Sequence, residues 1–170
     1  MKKYLKLLRV KNYIKNLLIL LPVLFGQRLF DTAILPNMIW SFVAFSSLSS
    51  AVYIFNDLCD CKRDVNHPVK CKRPIASGEV SKKTAGILIA LMISICIISN
   101  YFACGLNDEA WALLLLYLIQ NILYSLILKK APIIDIAIIA FGFLIRVFYG
   151  SAISGVHVSK WLYLTIIAIS

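Results

Sequence analysis

The chain has 170 residues, of which 61% are hydrophobic and only 15% are charged, and its formal net charge is +10. Its mean hydropathy of +0.84 excludes a soluble globular domain, which is nearer half apolar and a quarter charged. We therefore expect an integral membrane protein. Apolar segments near the roughly 20 residues that a membrane helix needs occur at about 13–30, 36–57, 84–104, 109–128, 132–152 and from about 159.

All these segments are predicted to be α-helices. Lipid leaves backbone groups no other partner short of a closed barrel, and the runs do not alternate apolar with polar residues as barrel strands do. Pro22 is expected to kink the first helix. The last apolar run continues to Ser170 without a polar cap. We interpret residues 1–170 as the N-terminal part of a single transmembrane domain, either a fragment or a truncated reading frame.

Basic residues are concentrated on one side of the predicted membrane. If the helices alternate in direction, the N-terminus, the polar segment 56–83 (the loop proper is about 58–83) and the turn at 129–130 share that side and hold most of the Lys and Arg. The positive-inside rule places this side in the cytoplasm, with the chain in the inner membrane. Anionic lipid or phosphate partners account for the net charge. No nucleic-acid partner is expected, because the charges are juxtamembrane.

An acidic cluster marks the end of the second predicted helix, in the stretch VYIFNDLCDCKRDVN at 52–66. If this helix continues to residue 64, a rotation of about 100° per residue places Asp57, Asp60 and Asp64 within an arc of roughly 60°, with Asn56 at its edge. Carboxylates crowded on one face repel each other, and the negative end of the helix dipole disfavours them further. A cation would relieve both effects, although the acids could also simply solvate the helix end.

Magnesium fits this pattern best. Mg²⁺ prefers oxygen ligands and typically binds one or two carboxylates together with substrate phosphates. We therefore predict that Asp57, Asp60 and Asp64 are catalytic metal ligands, with Mg²⁺ bridging to a diphosphate-bearing donor at the membrane surface.

The following loop, HPVKCKRPIASGEVS, carries basic residues close behind the acids. Lys70, Lys72 and Arg73 are candidate ligands of a substrate phosphate, since arginine can bind phosphate in bidentate fashion. The same residues also serve as a topology signal, and the two interpretations are compatible. Pro74 and Gly78 are expected to form a turn before the third helix.

The residues Asn56, Asp57, Asp60 and Asp64, followed by KRPIASG at 72–78, resemble the first aspartate-rich motif of the UbiA prenyltransferase superfamily, NDxxDxxxD with a trailing RPxxSG. The stretches 10–31 and 124–150 are similar to its decaprenyl-phosphate phosphoribosyltransferase branch. The resemblance covers essentially the whole chain. It implies a UbiA-like bundle of nine transmembrane helices around a central cavity, of which this chain would supply about five and a half. A second acidic region would lie beyond Ser170.

The resemblance implies a Mg²⁺-dependent membrane transferase that acts on a polyprenyl lipid. The main expectation is phosphoribosyl transfer from phosphoribosyl diphosphate to polyprenyl phosphate. The alternative is prenyl transfer from a polyprenyl diphosphate to an aromatic acceptor. An alternative of another class is a non-catalytic membrane protein or an inactive remnant. Residues 1–170 alone are expected to be inactive, because the opposite wall of the site would be missing, and to self-associate into a homo-oligomer.

Two further regions contribute candidates. Tyr124 and Lys129 resemble a tyrosine–lysine pair of the superfamily, with one residue more between them than in the usual YxxxK, so Lys130 is an alternative. Asp135 and Arg146 are ionisable residues in an apolar helix, and such residues usually face the bundle interior. Asp135 is predicted to reach the acidic chamber, and Arg146 to have a structural hydrogen-bonding role. The predicted substrate-binding residues are Asn56, Lys70, Lys72, Arg73, Tyr124, Lys129, Asp135 and Lys15.

Overall fold

The structure is a computed structural model that describes residues 2–126 and 132–157, with side chains from residue 136 onward in the second range. The elements in chain order are α1 (Lys2–Leu7), a 3-10 helix (Val10–Leu20), α2 (Leu21–Phe25), α3 (Leu35–Asp64), a 3-10 turn (Lys70–Lys72), α4 (Lys82–Cys104), α5 (Asp108–Leu126) and α6 (Pro132–Ser154). The described residues contain no β-strand. The expected all-α membrane architecture is confirmed, because α3, α4, α5 and most of α6 are long and apolar enough to cross a membrane.

The predicted second to fifth helices correspond to α3, α4, α5 and α6. Helix α3 continues to Asp64, as the argument about the acidic cluster required. The predicted sixth helix, from about 159, lies outside the described residues.

The first apolar segment differs from the prediction of one kinked helix over 13–30. It consists of the 3-10 helix, then the short α2, then turns up to Leu35. Pro22 lies in the first turn of α2, where its missing N–H has no intrahelical partner to lose. A 3-10 helix rises about 2.0 Å per residue, against about 1.5 Å in an α-helix. The two helices together therefore extend roughly 30 Å, which is still the thickness of the hydrocarbon core.

Helix α3 is the central element of the bundle. It packs along α4 and also contacts α5, α6 and the 3-10 helix. Small side chains let membrane helices approach closely, and the buried face of α3 is rich in serine. Some of these hydroxyls donate within the helix, as Ser49 Oγ does to Phe45 O at 2.9 Å. The buried serines of α3 are Ser41, Ser46, Ser47, Ser49 and Ser50.

An aromatic cluster joins α3, α5 and α6 at the centre of the core. The ring of Phe45 lies 4.7 Å from that of Tyr117 and 5.5 Å from that of Tyr149, measured between centroids. The Tyr149 hydroxyl donates to Asn100 Oδ1 at 2.6 Å, which ties α4 to the same cluster. The four long helices are thereby linked through one set of side chains.

The outward face of the bundle is apolar. On α4, Ile87, Leu91, Ile98 and Phe102 are each at least half exposed, which suits contact with lipid.

Both ends of α4 are capped. Ser81 Oγ accepts from the Thr84 N–H at 3.1 Å at the start, and Gly105 adopts a φ of 60° after the end. Side-chain acceptors at a helix start and glycine after its end are the usual caps.

Gly150 on α6 permits a backbone-to-backbone contact with the 3-10 helix. A Cβ atom built at this position would lie 1.9 Å from Ile19 O. Any side chain would displace the 3-10 helix, so the glycine determines how closely the first segment packs on α6.

Candidate active site

The three predicted acidic ligands share one face at the end of α3, and they converge on a single cationic atom. Arg73 Nη1 lies 2.7 Å from Asp64 Oδ2, 3.2 Å from Asp57 Oδ1 and 4.0 Å from Asp60 Oδ2. Asp57 and Asp64 are almost fully buried, whereas Asp60 is 20% exposed. Buried carboxylates are tolerated when a cation pairs with them, and Arg73 serves that purpose here.

This geometry changes the interpretation of the basic loop. The sequence predicted Lys70, Lys72 and Arg73 together as phosphate ligands, but Arg73 pairs with the acids themselves. A turn after Arg73 positions it: the Ser77 N–H donates to Arg73 O at 2.8 Å, and Gly78 has a φ of 77°. The turn predicted from Pro74 and Gly78 is therefore present.

Arg9 is a site residue that the sequence analysis did not select. Its Nη2 lies 2.6 Å from Asp57 Oδ1, and its guanidinium lies 4.7 Å from the centroid of the Tyr53 ring. Arg9 adopts a left-handed φ of 52° where α1 meets the 3-10 helix. The only sequence signal was its place among N-terminal basic residues, and a contact 48 positions away in sequence cannot be inferred from that.

Helix α1 and the 65–81 loop pack on each other and hold the two arginines in place. Leu7 is fully buried and belongs to the same apolar cluster as Ile75 and Val80 of the loop. Lys3 Nζ donates to Glu79 O at 3.0 Å, and Lys6 Nζ donates to the Lys72 carbonyl. The loop that carries Arg73 is thus anchored by the segment that precedes Arg9.

A cavity of about 480 Å³ lies beside the acidic face, and we call it the outer chamber. Among the predicted site residues it is lined by Lys15, Asn56, Asp60, Asp64, Lys70, Arg73 and Tyr124. Within the described lining, Arg9 and Arg63 are further cations, and Asn12, Asn121 and Ser125 are further polar groups.

The remaining predicted residues are placed differently. Asp57 lies behind Arg9 and Arg73 and is not among the described lining side chains. Lys72 is also outside that lining, and its carbonyl rather than its ammonium group has a defined partner. Lys129 and the side chain of Asp135 lie outside the described residues.

Asn56 connects the acidic helix to α5. Its Oδ1 accepts from Ser125 Oγ at 3.2 Å. Ser125 follows Tyr124 on α5, so this bond aligns the part of α5 that lines the outer chamber with the end of α3.

A smaller cavity of about 170 Å³ adjoins the outer chamber on the core side, and we call it the inner chamber. The two chambers share Lys15, Tyr53, Asn121, Tyr124 and Ile139. The inner chamber is also lined by Tyr117, Gln120 and Arg146. Polar side chains therefore continue along the cavity towards the bundle core, among apolar ones.

Arg146 is held in the core by hydrogen bonds and aromatic rings. Its Nε donates to Asn16 Oδ1 at 2.9 Å, its Nη1 to Gly142 O at 2.6 Å and its Nη2 to Tyr117 OH at 3.2 Å. Its guanidinium lies 4.9 Å from the centroid of the Phe45 ring. These contacts agree with the predicted structural role, and they join the 3-10 helix to α5 and α6.

The donor set of the acidic face suits a hard cation. Three carboxylates surround the position of Arg73 Nη1, and Mg²⁺ prefers such oxygen ligands at about 2.0–2.1 Å. Binding at that distance requires Arg73 to withdraw from the carboxylates.

Comparison with known sequences identifies the family. A model of the UbiA prenyltransferase family matches residues 18–170. The chain belongs to this family. This UbiA chain is 32% identical over 162 residues to a decaprenyl-phosphate phosphoribosyltransferase of Corynebacterium glutamicum. It is 31% identical over 163 residues to the enzyme of that name from Mycobacterium tuberculosis. Each match covers 94% of this chain, but the chain spans only 48% and 53% of the two relatives.

Solved structures show the same fold. The UbiA chain superimposes on a UbiA homolog from Archaeoglobus fulgidus bound to DMAPP and Mg²⁺ with a TM-score of 0.79. The sequence identity is 22%, and the match covers 97% of this chain and 59% of that one. The UbiA-like helical bundle expected from the sequence is thereby confirmed.

Proposed function

We propose that a full-length protein containing this chain transfers the phosphoribosyl group of phosphoribosyl diphosphate to polyprenyl phosphate, with Mg²⁺ as cofactor. The supporting observation is the charge of the outer chamber. Its described lining combines the cations Arg9, Lys15, Arg63, Lys70 and Arg73 with only two carboxylates, Asp60 and Asp64. Such an excess of cations suits a phosphorylated sugar diphosphate and a phosphate acceptor. The names of the relatives at 31–32% identity point to the same reaction.

The residues of the outer chamber have distinct roles in this proposal. Asp57, Asp60 and Asp64 would hold Mg²⁺, which would supply positive charge beside the departing diphosphate. Arg9 and Arg73 are the residues that donate to the phosphate oxygens of the donor. Lys70 and Lys15 are further cations of the chamber lining.

The transfer step exchanges one carbon–oxygen bond for another. An oxygen of polyprenyl phosphate forms a bond to the anomeric carbon of the ribose. The bond from that carbon to the diphosphate breaks, and its electron pair leaves with the diphosphate. Positive charge develops on the sugar ring and negative charge on the leaving group, so cations fixed around the leaving group stabilise the transition state.

The membrane orientation is part of the proposal. Helix α1, the 65–81 loop and the acidic end of α3 lie together, and they carry most of the basic residues of the described chain. The positive-inside rule places this end on the cytoplasmic face of the inner membrane.

We further propose that residues 1–170 alone are inactive and self-associate, because they contain one acidic motif and about half the length of the relatives.

The test is a direct transfer assay. Full-length protein is reconstituted in lipid with Mg²⁺ and polyprenyl phosphate, and labelled phosphoribosyl diphosphate is supplied. Label is expected in a lipid phosphate product, and its loss on chelation of Mg²⁺ would show the metal requirement. Residues 1–170 are assayed in parallel, and turnover at even a few per cent of the full-length rate would contradict the proposed inactivity of this part.

The second candidate is prenyl transfer to an aromatic acceptor. It is favoured by the structural similarity to a homolog solved with DMAPP. The same membranes are therefore incubated with a labelled prenyl diphosphate and 4-hydroxybenzoate. Prenylation of the aromatic ring without any phosphoribosyl lipid would select this candidate, and no transfer in either assay would select a non-catalytic protein.

A further inference from the structure

Among the side chains that line the inner chamber are two polar ones, Gln120 and Arg146, to which the proposed transfer step assigns no role. Its described walls come from the 3-10 helix, α3, α5 and α6, and its volume is about 170 Å³. At about 30 Å³ per water molecule, this is room for roughly six waters, or for one small ring with its hydroxyl groups. Because it adjoins the outer chamber, a donor held at the acidic face can extend one group into it.

Gln120 on α5 lines this chamber and carries an unsatisfied acceptor. The residue is only 9% exposed, and its Nε2 donates to Ile138 O at 2.7 Å. That bond sets the orientation of the amide. It leaves Oε1 buried without a hydrogen-bond partner among the described residues. Buried polar atoms in folded proteins nearly always have a partner, so Oε1 is suited to a ligand that donates a hydrogen.

Arg146 on α6 provides the complementary donors. Its guanidinium has five N–H groups, of which three bond to Asn16, Gly142 and Tyr117. One N–H remains on Nη1 and one on Nη2. Arg146 is 5% exposed and has no ion-pair partner among the described side chains. Its unused donors favour an oxygen-bearing ligand.

A hydroxyl group is able to form hydrogen bonds with both residues. Its hydrogen can be donated to Gln120 Oε1, while its oxygen accepts from an N–H of Arg146. An ionised phosphate has no hydrogen for Gln120, and a prenyl chain can neither donate nor accept. Two adjacent hydroxyls on one sugar ring could hydrogen-bond to Gln120 and to Arg146.

We propose that the inner chamber is the subsite for the sugar hydroxyls of the donor, and that Gln120 and Arg146 recognise the vicinal diol of its pentose. This assignment rests on the proposed phosphoribosyl transfer and adds the residues that select the sugar. A site built to bond a substrate hydroxyl discriminates against the analogue that lacks it, because its buried polar groups are then left unpaired. Loss of one such hydrogen bond corresponds to a decrease of about 10- to 100-fold in affinity.

The experiment compares donors and variants in the full-length protein. We would measure kcat and KM for phosphoribosyl diphosphate and for analogues that lack the 2- or the 3-hydroxyl. The wild type is expected to prefer the hydroxylated donor about 10- to 100-fold in kcat/KM. Gln120→Met keeps the side-chain length but removes the acceptor, so it is expected to lose the preference at one of the two hydroxyls. Leu118→Met, on α5 outside the chamber lining, is expected to retain both preferences.

A binding measurement is made first on the wild type and then on Gln120→Met. Displacement of labelled donor from the wild type by ribose 5-phosphate is compared with displacement by 2-deoxyribose 5-phosphate and 3-deoxyribose 5-phosphate. Weaker displacement by at least one deoxy compound supports the subsite, and so does loss of that difference in Gln120→Met.

The outcomes separate the subsite from the overall reaction. Phosphoribosyl transfer with equal use of all three donors would overturn the subsite and leave the proposed function intact. Hydroxyl-dependent binding without transfer would support the subsite and contradict the proposed function. A Gln120→Met protein that keeps the full preference at both hydroxyls would also overturn the assignment.

Discussion

Arg73 donates to the carboxylate of Asp64, nine residues earlier in the chain, at 2.7 Å. The same nitrogen also lies within salt-bridge distance of Asp57 and Asp60. The end of α3 and the loop after it are therefore held together by ion pairs within the chain. In the proposed function Mg²⁺ would take the position of Arg73, so metal binding and a movement of this loop would be coupled.

The first prediction concerns the most exposed of the three acids. Asp60→Asn in the full-length protein is expected to lower transfer by about 10²–10³-fold, because it removes one proposed ligand of the metal that would neutralise the leaving group. Rates are measured over a range of Mg²⁺ concentrations. Asp108→Asn, an exposed acid in the first turn of α5, is the matched control and should keep normal turnover. Full activity of Asp60→Asn at saturating Mg²⁺ would remove Asp60 from the metal site.

The second prediction concerns the stability that Arg73 confers. Arg73→Met leaves the buried Asp64 without its cation, and removing one partner of a buried ion pair costs about 3–5 kcal/mol. Thermal unfolding in detergent should show a clear loss of stability. Added Mg²⁺ should raise the melting temperature of the variant more than that of the wild type. Lys72 is the neighbouring residue, and its side chain lies outside the outer chamber. Lys72→Met is therefore expected to change the melting temperature little. Equal stability of the two variants would show that the ion pairs of Arg73 contribute nothing.

The third prediction separates metal binding from donor binding at Arg9. Arg9 pairs with Asp57 and would compete with a metal for this carboxylate. Arg9→Gln is therefore expected to bind Mn²⁺ more tightly than the wild type in the absence of substrate, as measured by calorimetry. The same variant should have a raised KM for the donor, since one phosphate-binding cation is lost. Arg28→Gln, which breaks an exposed ion pair with Asp31, serves as the control. Unchanged metal affinity together with unchanged KM would assign Arg9 no part in the site.

The fourth prediction tests the contact between α6 and the 3-10 helix. Gly150→Ala would bring its Cβ to 1.9 Å from Ile19 O, and overpacking of this kind typically costs about 1–3 kcal/mol. Gly86→Ala on α4, where no atom lies within 4 Å, should be neutral or slightly stabilising because alanine favours helix. Melting temperatures of the two variants are compared. A Gly150→Ala protein as stable as Gly86→Ala would mean that the two segments are not packed as described.

Local pattern was sufficient to predict α3, α4, α5 and α6. Apolar runs of membrane length define them, and the spacing of Asp57, Asp60 and Asp64 correctly required α3 to continue beyond the apolar run. The 3-10 helix was not predictable in the same way. Hydropathy reports that a segment is apolar and long, but it does not distinguish a 3-10 from an α-helical hydrogen-bond pattern.

The site was predictable where it depends on one helix and not where it depends on contacts between distant segments. Arg9 reaches Asp57 only because α1 packs on the 65–81 loop. Gln120 and Asn121 carried a usable signal, a pair of amides within an apolar run, since polar groups inside membrane helices are costly and commonly functional. Their position next to Arg146 nevertheless depends on the packing of α5 on α6.

The bare backbone at Gly150 has a consequence for the order of assembly. The 3-10 helix is synthesised well before α6, yet long 3-10 helices are rare because their hydrogen-bond geometry is poor. Part of its supporting surface is the stretch of α6 around Gly150, which emerges from the ribosome some 130 residues after Ile19. This segment is therefore completed late, and Asn16 can accept from Arg146 only after α6 has been made.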